Sequence, residues 1–96
     1  MDPAIPDIKI SDVVVSTKGR DQGNWFYVIA EDPVYLFLAN GKDRTLDRPK
    51  RKKRKHVQKV LRSETRVAEK LRLGDKVLNG ELRRDLAFLA RATTSE

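Results

Sequence analysis

The chain contains no cysteine and a single histidine, His56. Disulfides, thiolate nucleophiles and cysteine-based zinc sites are therefore excluded. His56 has neither a second histidine nor a cysteine with which to hold a metal, and no nucleophile lies beside it in the sequence. Aromatic residues make up only 6% of the 96 positions, and apolar residues 39%, which is low for a folded domain. No apolar run approaches the ~20 residues that a membrane-spanning helix needs, and Met1-Asp2-Pro3 opens no signal-peptide pattern. These absences lead us to expect one small cytoplasmic domain with no cofactor, no metal, no membrane association and no small-molecule substrate.

What the chain has in excess is charge. Charged residues make up 36% of it and the net charge is +7. The excess is local. From Lys42 to Arg62 eleven lysines and arginines face two acids, Asp43 and Asp47, a surplus of nine that leaves about −2 for the remainder. At its centre lies Arg48-Pro49-Lys50-Arg51-Lys52-Lys53-Arg54-Lys55-His56. Packed like charges repel one another, so such a run points to a polyanionic partner.

The rest of the sequence predicts a sheet followed by helices. Met1–Lys9, with Pro3 and Pro6, reads as an extended tail. Val13-Val14-Val15 is a β-branched strand. It ends at Gly19-Arg20-Asp21-Gln22-Gly23, a glycine loop. Asn24–Ala30 is a second strand, with Phe26 and Val28 on one face and Trp25, Tyr27 and Ile29 on the other. After the Asp32-Pro33 turn, Val34–Ala39 is a third strand, apolar on both faces. That suits a small barrel whose outer face carries an appended element. Asn40-Gly41 is a hairpin signal that should bring Lys42–Leu46 back antiparallel to the third strand, and Val57–Leu61 is placed to close the sheet. Ser63 is the expected cap of a first helix ending at Gly74. A second helix, Glu81–Ala92, follows a cap at Asn79 or Gly80. Leu82, Leu86 and Leu89 form its apolar stripe. The expected organisation is a tail over 1–9, a β unit over 10–62 containing the basic segment 48–56, a helical hairpin over 63–92 and a frayed end over 93–96.

The ordered set Lys18-Gly19-Arg20-Asp21-x-Gly23 between apolar strands resembles the KOW motif. The later stretch extends the likeness: Leu38-Ala39-Asn40-Gly41-Lys42, Arg44, Pro49-Lys50-Arg51-Lys52-Lys53 and Lys55-His56-Val57. These residues resemble the large-subunit ribosomal protein L-fourteen-e family, and more closely the small KOW-domain RNA-binding proteins related to it. The resemblance spans about Asp12 to Val60. It implies a mainly β fold with C-terminal helices, an SH3-like β-barrel of KOW type followed by two short α-helices. It also implies an RNA partner, ribosomal or translation-linked.

Read with that resemblance, the candidate RNA-binding residues are Lys18 and Arg20 in the loop, Trp25 beside it, then Lys42, Arg44, Arg48, Lys50, Arg51, Lys52, Lys53, Arg54, Lys55, His56 and Lys59. If the run is a strand, Lys50, Lys52 and Arg54 form one row and Arg51, Lys53 and Lys55 the other. Trp25, Tyr27, Tyr35 and Phe37 are candidates to stack on unpaired bases or to fill the core. Other readings of the run stay open: a solvated face or disordered linker, and a nuclear localisation signal. The alternative for the protein is a protein-interaction module associated with the ribosome or transcription machinery, docking through the barrel or the helical tail. Catalysis is not expected. An enzyme built on Asp21 and nearby carboxylates lacks metal-ligand spacing.

Overall fold

The structure, a computed structural model, describes residues 7–94. Five strands form one antiparallel sheet: β1 (Asp12–Ser16), β2 (Trp25–Glu31), β3 (Tyr35–Ala39), β4 (Lys50–Lys53) and β5 (Val57–Arg62), in the order β4-β3-β2-β1-β5. Two helices follow, α1 (Arg66–Leu73) and α2 (Asn79–Thr94). A single 3₁₀ turn, Arg54–His56, carries the chain from one edge strand, β4, to the other, β5. Three residues of 3₁₀ helix advance only about 6 Å, so the sheet must curl strongly to bring its two edges together. No ladder joins β4 to β5 among the described residues, and the sheet remains open along that seam.

The curl explains why the central strands are apolar on both faces. Val14, Phe26, Val28, Leu36, Leu38 and Val57 fill the concave side. Val13, Tyr27 and Ala39 face outward onto Val67 and Ala68 of α1 and Leu82 and Leu86 of α2. Phe26 and Val28 thus lie on the face expected from alternation, opposite Tyr27. Trp25, Ile29 and Leu89 pack against the helical side.

Several sequence expectations are corrected. The expected tail extends to Lys9, but Ile8 is 1% exposed and belongs to the concave core; residues 1–6 lie outside the described part. The chain does not return along β3 at Lys42–Leu46. The side chain of Asn40 accepts hydrogen bonds from the backbone N–H of both Lys42 and Arg44 (2.9 and 3.0 Å), which winds a wider loop. Leu46 then packs against the helical cluster, and the returning strand is Lys50–Lys53. Ser63 does not cap α1; Thr65 does, its hydroxyl accepting from Ala68 N at 3.3 Å. Gly74 ends α1 as expected, with its N–H bonded to Leu71 O and Lys70 O. The second helix begins at Asn79 and runs through Thr93 and Thr94, part of the segment expected to fray, while residues 95–96 lie outside the described part.

Gly41 shows why the turn and the second helix are bound together. Its φ is 77°, and a Cβ there would collide with Asn79 O at the start of α2. Only glycine meets both conditions. The neighbouring contact is direct: Leu46 N donates to Asn79 Oδ1 at 2.8 Å. No helix of the described residues is long and apolar enough to cross a membrane.

Candidate nucleic-acid interface

All four residues of β4 are cationic, and strand alternation gives them two different environments. Lys50 and Lys52 stand opposite Leu38 and Leu36, on the concave side. Lys52 is only 7% exposed, and a buried ammonium needs a counter-charge. Asp21, from the loop between β1 and β2, supplies it. Its Oδ1 lies 2.7 Å from Lys52 Nζ and its Oδ2 2.7 Å from Lys50 Nζ. Ser16 Oγ donates to the same carboxylate at 2.7 Å, and Lys52 also donates to the Lys18 carbonyl. Burial alone would push the Asp21 carboxyl up. Hydrogen bonds from Lys50, Lys52 and Ser16, with the charge of Lys52, outweigh it and hold the group well below the usual carboxylate range.

The loop is shaped to deliver Asp21. Gly19 has φ 94° and passes close to the Lys52 ammonium, which would lie 3.6 Å from a Cβ at that position. Backbone bonds from Gln22 N to Gly19 O (3.1 Å), Asn24 N to Asp21 O (2.9 Å) and Gly23 N to Ser16 O (2.8 Å) close it. Asp21 is turned inward, and Lys18 and Arg20 are left exposed.

The other row of β4, Arg51 and Lys53, faces away from the concave core, opposite Phe37 and Tyr35. Arg51 lies over the Tyr35 ring, its Cζ 4.5 Å from the centroid. Neither Arg51 nor Lys53 forms an ion pair with a carboxylate among the described residues, whereas Lys50, Lys52 and Arg54 all do. Arg54 is a clasp. Its guanidinium donates to Asp32 O, Ile8 O and Glu31 Oε1, each at 2.9 Å, and so ties the N-terminal segment to the β2–β3 turn. The basic run therefore divides into a structural row and an available row.

Two grooves flank the Asp21 clamp. The first, about 390 Å³, is lined by Lys18, Gly19, Tyr35, Lys50, Arg51, Lys52, Lys53 and His56. The second, about 340 Å³, is lined by Arg20, Asp21, Asn24, Phe26, Asp43, Arg44 and Lys50. His56 is tied into the first through its backbone, its carbonyl accepting from Thr17 N at 2.9 Å. Partial burial, then the charges of Lys18, Lys55, Lys53 and Lys52, hold its imidazole below the ordinary histidine value.

The structure thus brings together Lys18, Lys50, Arg51, Lys52, Lys53 and His56 on one side of the clamp, and Arg20 and Arg44 on the other. Lys42, Arg48 and Lys55 are exposed on neighbouring loops and turns and line neither groove. Lys59 pairs with the buried Asp12 at 3.2 Å. Trp25 packs on the helical side instead of lining either groove, because alternation from the buried Phe26 turns it to the convex face. The aromatic that does border the basic strand is Tyr35. Sequence reasoning missed the part played by Asp21. The available signal was a carboxylate between two glycines in a chain carrying seven cations in eight positions. No protein-family model and no curated protein matches the chain, so the arrangement around Asp21 and β4 carries the functional reading.

Proposed function

We propose that the protein binds structured RNA, ribosomal or otherwise translation-linked, through the exposed cations of β4 and the facing β1–β2 loop. The sheet order and the single 3₁₀ turn between its two edge strands support reading the β unit as an open SH3-like barrel of KOW type. The observation that carries the functional reading is the placement of cations without carboxylate partners. Lys18, Arg20, Lys42, Arg44, Arg48, Arg51, Lys53 and Lys55 form no ion pair among the described residues and cluster on the β1–β2 loop, the loop before β4, β4 itself or the turn after it, whereas Arg66, Lys76, Arg83, Arg84 and Arg91, also without an ion pair, are spread over the helical part. Asp21 fixes the loop against β4, so this charge is held on a rigid surface. A phosphate backbone docks on such a surface largely through counterion release, and shape and 2′-hydroxyl contacts supply selectivity.

The test uses Lys18→Glu, Lys53→Glu and Lys55→Glu combined, which avoids the structural row. RNA affinity at about 0.15 M salt should fall by more than tenfold with the thermal midpoint nearly unchanged. The log–log salt slope should become shallower by about 0.7–0.9 for each phosphate that is no longer neutralised. Unchanged affinity would overturn the proposal. A second reading, docking of a protein partner, is favoured by the exposed Leu73, Leu78 and Phe88 on the helical side. Phe88→Asp would abolish that docking and leave RNA affinity intact.

A further inference from the structure

The first groove is an unusual phosphate site. Five of its eight lining residues are cationic, yet the lining is largely apolar, and Lys50 and Lys52 turn their ammonium groups to Asp21. A pocket for phosphate alone gains from converging N–H groups. A surface with apolar walls and cations at its edges instead suits a nucleobase, whose faces are apolar and whose flanking phosphates are charged.

Three further observations agree. Arg51 is held over Tyr35, its Cζ above the ring, while the residue as a whole remains exposed. The ring contact positions it before any ligand arrives, and it forms no ion pair among the described residues. A guanidinium held in this way offers a flat surface for an unstacked base. The backbone supplies edge-reading groups as well. Arg54 N donates to Val34 O at 3.0 Å, so the hydrogen-bonded rungs of the β3–β4 ladder fall at Leu36–Lys52 and Leu38–Lys50. The N–H and C=O of Arg51 and Lys53 therefore point away from β3, along an edge with no further strand. Finally, Lys18 and Lys53 border the same groove, placed to hold phosphates on either side of an inserted nucleotide.

We infer that Arg51, stacked on Tyr35, is the platform for one unpaired base, so that the protein selects RNA carrying a bulged or looped-out nucleotide over continuous duplex. This rests on the RNA-binding reading above and narrows its substrate class.

The experiment compares three RNA hairpins of equal length and charge with the full chain: one with a single bulged 2-aminopurine, one with an abasic bulge, and one fully paired. The wild-type protein should bind the bulged base about tenfold more tightly than either control, since base stacking on a protein platform is typically worth about that ratio. The 2-aminopurine fluorescence should change on binding. Arg51→Lys keeps the charge and loses the plane, and Tyr35→Leu keeps the bulk and loses the ring. Each should shrink the tenfold preference for the bulged base to within about twofold, with the salt slope unchanged. Equal binding of all three hairpins by the wild-type protein, with ordinary salt dependence, would overturn the base platform and leave RNA binding standing. Equal weakening of all three hairpins by Arg51→Lys would also overturn the platform. No binding to any of them would overturn both readings.

Discussion

Asp21 and Lys52 lie 2.7 Å apart across the gap between the β1–β2 loop and the edge strand β4, and this pair decides which cations of the basic run are available to a ligand. Removing one partner leaves a charge on the concave side without compensation, which typically costs about 3–5 kcal/mol. Asp21→Ala should therefore lower stability by about 3 kcal/mol, at the lower end because Lys50 is partly solvated. Combining Asp21→Ala with Lys52→Met removes both charges and should recover most of the loss. Chemical denaturation of the single and double variants measures both values; a double variant as unstable as the single one would contradict the assignment.

The same pair gives stability a pH dependence. The folded-state pKa of Asp21 lies below its ordinary value of 3.8. Its contribution is thus fully present above about pH 4 and is lost as the pH falls from there towards the folded-state value. The stability gap between the wild-type protein and Asp21→Asn should be constant from pH 7 to pH 5 and narrow towards pH 2. A constant gap down to pH 2 would mean that the carboxylate is not held by its lysines.

Much of this arrangement was legible in the chain, and what was not has definite causes. Val13-Val14-Val15 and Asn24–Ala30 announced strands because β-branched and aromatic residues suit a pleated, packed surface. Gly74 announced the end of α1, and the Leu82 and Leu86 stripe the packing of α2. The fourth strand stayed one conditional reading of the basic run because Lys50–Lys53 carries no apolar signal at all; its inner row is held by Asp21, 29 positions from Lys50, and no local pattern encodes a partner at that distance. Ser63 was the expected cap of α1, but Thr65 takes that role. The Ser63 hydroxyl is engaged instead in a buried network with the Tyr27 hydroxyl, 2.8 Å away.

That network yields a prediction. Tyr27 is fully buried, and its hydroxyl also bonds to Asp85 of α2 and meets Thr65 at 3.3 Å. Burial, then the hydrogen bond to Asp85, push the phenol well above its ordinary value, so it remains a neutral donor. Tyr27→Phe keeps the ring and leaves the Asp85 carboxylate one donor short. The expected cost is about 1–3 kcal/mol. Amide exchange should accelerate at the start of α1 and along α2 while β3 and β4 remain protected. Uniform acceleration through the sheet would show that the network does not hold the helices specifically.

Gly41→Ala tests the joint between the Asn40-Gly41 turn and α2. The left-handed backbone alone costs an alanine about 1–2 kcal/mol, and the contact with Asn79 O adds to it. The variant should be destabilised by more than about 2 kcal/mol, and the Leu46–Asn79 hydrogen bond should open, visible as faster exchange of the Leu46 amide. Retention of Leu46 protection would refute the joint.

His56 supplies the last prediction. Its imidazole is held below 6.5 by partial burial and by Lys18 from the loop, Lys55 beside it and Lys53 and Lys52 from β4. It is therefore largely neutral at pH 7 in the free protein. A phosphate held by Lys18 and Lys53 beside the groove that His56 lines replaces repulsion with attraction at His56 and raises the value. Binding then takes up a proton, so RNA affinity should increase as the pH falls through the bound-state value and level off below the free-state one. The increase should disappear in His56→Gln, which keeps hydrogen-bonding capacity without the titration. Titrations at pH 8, 7, 6 and 5.5 at fixed ionic strength separate this effect from general screening; an identical rise in His56→Gln would assign the proton to another group.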